Sequence, residues 1–244
     1  MNWAYTIITV DDSRDFNKAE QRNYLRELPE VFISWADCRK QADYELAIDN
    51  NSDILSDRWE NILPGEFGVF LSQIQAWKYA STMEYDGLVV LEDDALLNDG
   101  SYESMMSTGS LLPDDWDTFS LYVPEGHWEE YYTHRFNDRG MALLNMVEGG
   151  ALEYKTVHPQ LARAYQGYSC VGTVISRAGG RKLLDLIKRD GMYTPVDVAL
   201  FEWAKAGDIN AYSPTPPYAD IANINWEWPS VIRGTDIEDQ GVWF

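Results

Sequence analysis

Three adjacent carboxylates, Glu92, Asp93 and Asp94, stand directly after the apolar run 87–91. A short apolar run led by glycine is typical of a central strand that is covered on both faces. Ligands of open α/β sheets bind beyond the carboxyl ends of the strands, which is where these three side chains would lie. A hard divalent cation prefers oxygen ligands and would offset the mutual repulsion of the three groups.

Spacing suggests separate tasks for the three carboxylates. Because side chains alternate along an extended chain, Glu92 and Asp94 can face the same way while Asp93 faces across. We therefore expect Asp94 to bind the metal directly, with Glu92 as the second candidate ligand. Glu92 or Asp93 would act through water or through a ribose hydroxyl. The alternative is a solvated strand end whose aspartates cap a turn or a helix.

The elements that must position this cluster alternate between strands and helices, which favours one α/β domain over residues 1–244. Strands are predicted at residues 3–10, 31–35, 87–91, 117–123, 168–176 and 209–212. Four helices are predicted. The first follows the polar turn at residues 11–14 and runs to about residue 28, the second begins at residues 64–65, and the others lie at residues 177–189 and 198–204. The second of these helices has a buried stripe of Phe67, Phe70, Leu71, Ile74 and Trp77. Residues 126–150 form a long irregular excursion, and about 214–244 form a tail rich in Trp and Pro.

Composition narrows the classes of function and location. The formal net charge of −21 would repel a phosphate backbone, which makes nucleic acid a disfavoured partner. No apolar run approaches the roughly 20 residues that span a bilayer, and the N-terminus lacks the layout of a signal peptide. We expect a soluble, cytoplasmic protein in which Cys38 and Cys170 are packed, reduced thiols.

Five segments carry a resemblance to a known family. They are GEFGVFLSQIQAWKYA (65–80), GLVVLEDDALL (87–97), WDTFSLY (116–122), YSCVGTVISRAGGRKLLDLI (168–187) and TPVDVALF (194–201). In order and spacing they resemble the core of glycosyltransferase family 25, which includes lipooligosaccharide galactosyltransferases and collagen galactosyltransferases. Several motifs in the expected order are far more specific than any one of them alone.

This resemblance implies a fold, a cofactor and a reaction. The fold would be GT-A, a Rossmann-like sandwich that holds Mn²⁺ or Mg²⁺ against the diphosphate of a nucleotide sugar, for which we expect a UDP-hexose. Transfer would invert the anomeric centre, so a carboxylate must deprotonate the acceptor hydroxyl. We assign this role to Asp197 in the TPVD motif, where a helix N-terminus favours the ionised form. The alternative for Asp197 is a first-turn acidic residue that only stabilises its helix.

Five further residues are expected to bind the donor if the resemblance holds. They are Asp12, Arg14, Glu66, Ser72 and Gln73. Arg14 offers a charged fork to phosphate or base, with an exposed loop arginine as the alternative. Glu66 would be either structural or sugar-orienting. Family members commonly have Ser-His where this chain has Ser72-Gln73, so a hydrogen-bonding amide replaces a titratable ring. The first strand also departs from the family's usual Asn-Leu-Asp-Arg ending.

The acceptor and the class of protein each leave alternatives open. A glycan is the expected acceptor, and a protein hydroxyl or a hydroxylated base in DNA are the alternatives. A glycoside hydrolase would also use two carboxylates, but these would flank the sugar about 5 to 9 Å apart and need no metal. A non-catalytic protein that binds sugars or nucleotides is the third class, and Gln73 in place of histidine is the feature that favours it.

Overall fold

The protein is described by a computed structural model over residues 1–9, 15–38, 40–57, 62–122, 155–163, 170–214 and 221–224. Nine strands lie in these ranges: β1 (Trp3–Ile8), β2 (Gly87–Glu92), β3 (Ala95–Leu96), β4 (Thr118–Ser120), β5 (Lys155–His158), β6 (Leu161–Arg163), β7 (Gly172–Ser176), β8 (Ala211–Pro214) and β9 (Asn223–Ile224). The described helices are α1 (Asp15–Tyr24), α2 (Gln41–Asn50), α3 (Pro64–Thr82), α4 (Ser101–Gly109), α5 (Arg177–Asp190) and α6 (Val196–Ala206), with a 3₁₀ turn at Ser52–Ile54.

Seven of the described strands form one mixed sheet in the order β1-β2-β7-β4-β8-β6-β5. β1 and β2 pair in parallel, as do β4 and β8, and the remaining neighbours are antiparallel. β6 and β7 consequently run against the direction of the other five strands. β3 and β9 form a separate antiparallel pair. The fold is therefore α/β, as predicted, with a mixed sheet compatible with a Rossmann-like arrangement.

Alternation along β2 shows how the sheet is buried on both faces. Leu88 and Val90 belong to an apolar cluster that also takes side chains from α3, α5 and α6. Val89 and Leu91 point to the opposite cluster, which includes Met105 of α4. All four are fully buried. A strand with apolar side chains on both faces must be covered by two layers, which confirms the central strand predicted at residues 87–91.

The helix predicted from Pro64 is confirmed, and its apolar stripe packs against the sheet and α5. Phe67, Phe70, Leu71, Ile74 and Trp77 are all buried. At the crossing of the two helices, a Cβ on Gly180 would lie 2.8 Å from the Trp77 carbonyl oxygen. Only a glycine permits this close approach. None of the helices in the described ranges is both long and apolar enough to cross a membrane.

The strand predicted at residues 31–35 is wrong. The chain makes one parallel bridge to β1 at Glu30, where the Val31 amide donates to the Tyr5 carbonyl at 2.7 Å. Exposure then alternates over residues 31–35 as in extended chain. However, no ladder continues, because the segment leaves β1 for α3, where the Ala36 amide donates to Ser72 Oγ at 3.1 Å. The β-branched and aromatic residues of this segment thus favoured extended backbone, but in the described part of the chain they do not form a paired strand.

Other boundaries differ from prediction for identifiable reasons. The strand expected at residues 209–212 is β8, Ala211–Pro214, and it is followed by β9. The hairpin of β5 and β6 was not predicted, and neither were α2 and α4. α2 has no fully buried residue and meets the core only through the partly buried side chains of Tyr44, Ala47 and Ile48, which is a short apolar signal in a polar helix. The predicted excursion at 126–150 lies outside the described residues, and so does the tail apart from Pro214 and residues 221–224.

Candidate functional site

The acidic cluster lies at the carboxyl edge of the two parallel strands. Glu92 is the last residue of β2 and is in register with Ile8 of β1. Asp93 and Asp94 form a two-residue turn into β3. Exposure alternates across the three carboxylates, because Asp93 is only 4% exposed while Glu92 and Asp94 are half-buried. We name residues 92–95 the acidic turn.

Two buried amides of α1 hold the backbone of the acidic turn. Asn17 Nδ2 donates to the carbonyl oxygens of Asp93 and, at 3.0 Å, of Ala95. Gln21 Nε2 donates to the carbonyl oxygens of Glu92 at 2.9 Å and Ala95 at 2.7 Å. Asn17 and Gln21 are 2% and 1% exposed, so water does not compete for these bonds. The turn is therefore attached to α1 by side chains and not only by its own strand.

A buried cation lies at the same edge of the sheet. The side chain of Lys18 is 6% exposed, and its Nζ lies 2.8 Å from Asp15 Oδ1. Nζ also lies 3.3 Å from Oγ1 of Thr9, the residue after β1. A buried ammonium group is costly unless it is paired, and the pair with Asp15 supplies that compensation. Sequence reasoning missed Lys18 because a lysine in a polar helix resembles a solvated one.

Asp197 lies within electrostatic range of a buried thiol that Glu92 also affects. It is the second residue of α6, is half-buried, and accepts a hydrogen bond from the Val198 amide at 2.9 Å. Cys170 links it to the sheet edge, because the next residue, Val171, accepts a hydrogen bond from the Glu92 amide at 2.9 Å. Burial first, and then the charges of Asp197 and Glu92, raise the pKa of the Cys170 thiol well above its usual range. Both carboxylates thus act on one buried thiol, although they are far apart in sequence.

Glu66 and Ser72 of α3 are engaged with the protein backbone. Glu66 Oε2 accepts a hydrogen bond from the Leu63 amide at 2.8 Å at the start of the helix. Ser72 Oγ donates to the Gly68 carbonyl at 2.8 Å and accepts from the Ala36 amide at 3.1 Å. These bonds give both residues a structural role, and their role in binding the donor stays a prediction.

Gln73 differs from its neighbours on α3. It is 1% exposed, and within the described ranges nothing accepts a hydrogen bond from its enclosed Nε2. A buried donor without an acceptor costs about 1–3 kcal/mol. Buried amides in this state generally mark an ordered water or a ligand position. Gln73 therefore retains a hydrogen-bonding capacity that the described part of the protein does not use.

Two predicted donor-binding residues, Asp12 and Arg14, lie outside the described residues. Where side chains are described, the structure brings together Glu92, Asp93 and Asp94 with the unpredicted Asn17, Lys18 and Gln21. The position of Asp197 relative to this group is indicated only by its electrostatic effect on Cys170. No signal in the sequence separates these three α1 residues from a solvated helix face. Their spacing at i, i+1 and i+4 is the only hint, and it is shared by most polar helices.

A metal ion can be tested against the acidic turn through its donor chemistry. In the described ranges no three carboxylate, imidazole or thiol side chains converge tightly enough to enclose a metal ion. Mg²⁺ is commonly held by one or two carboxylates together with substrate phosphates and water, which requires no such enclosure. The half-buried carboxylates of Glu92 and Asp94 supply hard oxygen donors of this kind. The donor set fits a cation that is shared with a diphosphate.

A surface groove of about 440 Å³ lies elsewhere, between residues 36–38, α2 and α3. Its walls mix carboxylate and amide groups, including Asp37, Asn50 and Gln75, with the apolar side chains of Leu46 and Leu71. None of the predicted site residues lines it. None of the described residues that line the groove has a buried polar atom in need of a hydrogen-bond partner. We place the candidate site at the acidic turn, since the carboxylates of Glu92, Asp93 and Asp94 lie there.

No protein-family model matches the chain, and no curated protein matches it. The fold and the site together define an α/β protein with an acidic turn at the carboxyl edge of its parallel strands.

Proposed function

We propose that the chain is a metal-dependent glycosyltransferase of the GT-A type, similar to family 25, which transfers a hexose from UDP-hexose to an acceptor hydroxyl. The observation that carries the proposal is the position of the acidic turn. Three carboxylates follow a strand buried on both faces, at the edge where α/β sheets bind nucleotides. The mixed seven-stranded sheet is compatible with the fold that the proposal requires.

Each residue has a defined task in this proposal. Asp94 and Glu92 hold Mn²⁺ or Mg²⁺, which as a Lewis acid supplies stabilisation of the charge on the departing diphosphate. Gln73 would donate its unused amide hydrogen bond to the sugar nucleotide. Asp12 and Arg14, which lie between β1 and α1 in the sequence, would contact the nucleotide. Lys18 adds a positive charge at the edge where a diphosphate would lie.

The group transfer itself requires a base. The acceptor oxygen forms a bond to the anomeric carbon while the bond from that carbon to the diphosphate oxygen breaks. Asp197 accepts the proton of the acceptor hydroxyl. The leaving group departs as a nucleoside diphosphate, because it keeps the electron pair of the broken bond. The first turn of α6 favours the ionised carboxylate that this step needs, because the positive end of the helix dipole faces it.

The proposed acceptor is a glycan. The formal net charge of −21 opposes binding to a DNA backbone, which makes a hydroxylated base the less favoured acceptor. A protein hydroxyl remains a separate outcome of an acceptor screen. A non-catalytic binding protein is favoured by one observation, namely the amide of Gln73 where the family commonly has a titratable histidine.

An assay for nucleoside diphosphate release tests the proposal. The protein is incubated with UDP-, GDP- or CDP-hexose in Mn²⁺, with and without a hydroxyl acceptor, and EDTA provides the metal-free control. We expect diphosphate release with UDP-hexose that stops in EDTA. Binding of a sugar nucleotide without release of diphosphate would identify a non-catalytic binding protein. Metal-independent cleavage of a glycoside would instead identify a hydrolase.

A further inference from the structure

Helix α1 buries an unusual set of side chains. The residues it buries are Asn17, Lys18 and Gln21, all of them polar. A surface helix normally attaches to a core through an apolar stripe. Burial of these three groups yields little hydrophobic stabilisation and requires each polar group to find a partner. The contact of α1 with the sheet edge is therefore a polar network and not a hydrophobic seam.

The donors of this network meet one short stretch of backbone. Asn17 and Gln21 are one helical turn apart, so their amides lie on the same face of α1. Between them they donate to the carbonyl oxygens of Glu92, Asp93 and Ala95. Three of the four carbonyls of the acidic turn are thus held from one side by two rigidly mounted side chains.

The hydrogen bonds from Asn17 and Gln21 oppose the tendency of the acidic turn to be flexible. Adjacent carboxylates repel one another, and a two-residue turn has few conformational restraints of its own. The directions of the three side chains follow from the backbone dihedrals of the turn. Hydrogen bonds from buried amides restrict those dihedrals, and water cannot take the place of the amides inside the protein.

We propose that Asn17 and Gln21 are positioning residues that set the geometry of the Glu92 and Asp94 carboxylates for a divalent cation. This inference rests on the proposed function for the identity of the ligand. The positioning itself does not, because it is a property of the backbone of residues 92–95. Residues of this kind, which orient ligating groups, typically change metal affinity by about 10- to 100-fold when they are replaced.

The test uses the full chain with three variants. Gln21→Met and Asn17→Leu keep side-chain size and remove the amide donors. Asn23→Leu is the matched control, because Asn23 is exposed on the same helix. Backbone order parameters of residues 92–95 are measured by NMR without metal. Binding of Mn²⁺ in the presence of UDP is then followed through the electron paramagnetic resonance signal of free Mn²⁺.

For the wild type we expect order parameters of about 0.85 in the acidic turn, the range of rigid backbone. Gln21→Met and Asn17→Leu should lower them and weaken Mn²⁺ binding by about 10-fold or more, whereas Asn23→Leu should change neither. In the turnover assay the Mn²⁺ concentration for half-maximal rate should rise more than kcat falls. Loss of thermal stability alone would not produce this split.

Two outcomes would overturn the inference. One is a folded Gln21→Met protein with an unchanged turn and unchanged Mn²⁺ affinity. The other is a wild-type acidic turn with order parameters below about 0.6, the range of flexible backbone. This result would disprove positioning by α1 even if neither variant folds. If the wild type binds no Mn²⁺ and releases no diphosphate, the proposed function fails. The order parameters still decide whether α1 positions the turn.

Discussion

Three chemically similar carboxylates at the end of β2 meet different surroundings. Asp93 turns into the protein, where it is 4% exposed, while Glu92 and Asp94 stay half-buried at the edge of the sheet. The three residues should therefore respond differently to removal of charge, and Asp94 is the one proposed to bind the cation directly.

Replacing Asp94 by Asn should abolish metal-dependent release of nucleoside diphosphate and leave the fold intact. The amide keeps the size of the side chain but removes the negative charge that binds a hard cation. Turnover in Mn²⁺ and circular dichroism are measured together. Asp99→Asn, at an exposed position five residues further on, is the matched control and should retain activity. Full activity in Asp94→Asn would disprove the metal assignment.

Cys38 should make stability depend on pH in alkaline solution. Burial first, and then the charges of Asp37 and Asp43, raise the pKa of its thiol from 9.0 to about 11. The folded state therefore keeps a proton that the unfolded chain loses. The resulting stabilisation is fully present below pH 9 and disappears as the pH rises to about 11.

Urea unfolding of the wild type and Cys38→Ala at several pH values measures this contribution. The free energy of unfolding of the wild type, relative to the variant, should fall between pH 9 and pH 11. Tyr5, whose pKa burial and Glu30 raise to about 12, is common to both proteins and does not affect the difference. A constant difference across this range would show that the Cys38 thiol titrates normally.

At the scale of elements, the N-terminus of α5 is fitted closely to the segment before β4. Ser176 Oγ accepts a hydrogen bond from the Gly179 amide at 2.8 Å and so caps the helix. Lys182 forms an ion pair with Asp117, whose side chain is buried. The Asp117 carbonyl oxygen lies only 2.1 Å from where a Cβ on Gly179 would stand. The close approach of backbone to backbone requires glycine at this position.

Gly179→Ala should destabilise the protein by about 1–3 kcal/mol, the usual cost of overpacking. The clash with Asp117 outweighs the gain of up to about 1 kcal/mol in helix propensity. Chemical denaturation provides the measurement. Gly100→Ala is the comparison, because a Cβ there meets nothing within 4 Å and only the positive φ of 95° opposes it. If Gly179→Ala is as stable as the wild type, the helix is able to shift away from Asp117.

At the scale of the whole molecule, the dominant property is excess negative charge. The chain has 40 acidic and 19 basic residues, a formal charge of −21. Exposed ion pairs such as Lys188 with Asp185 contribute little to stability. Repulsion among the unpaired acidic groups acts against the compact state.

Added salt should therefore raise the melting temperature. Going from about 0.01 M to about 1 M ionic strength shortens the Debye length from about 30 Å to about 3 Å, which suppresses the repulsion. Scanning calorimetry in NaCl and in KCl should give the same increase, since screening depends on ionic strength. A melting temperature that falls with salt would mean that favourable ion pairs outweigh the net repulsion.

The core elements of the fold were predictable because their patterns report burial. β2 reads as an apolar run and α3 as an apolar stripe, and both are present with those faces buried. α2 was hard to recognise because only three of its side chains, Tyr44, Ala47 and Ile48, pack on the core, and none of them is fully buried. The β-branched and aromatic residues of the segment 31–35 favour extended chain, but they do not show whether a partner strand is available.

By itself the sequence determined that three carboxylates end a strand buried on both faces, since apolar periodicity follows directly from contact with the core. Only the tertiary structure decided what holds those carboxylates. The amide of Asn17 reaches a carbonyl 76 positions away, and the charges of Asp197 and Glu92 both act on the buried Cys170 thiol. A polar side chain looks the same in sequence whether it faces water or a buried carbonyl. The packing of α1 against the sheet edge determines which partner such a side chain meets. The candidate site at the acidic turn could be described only once this packing was known.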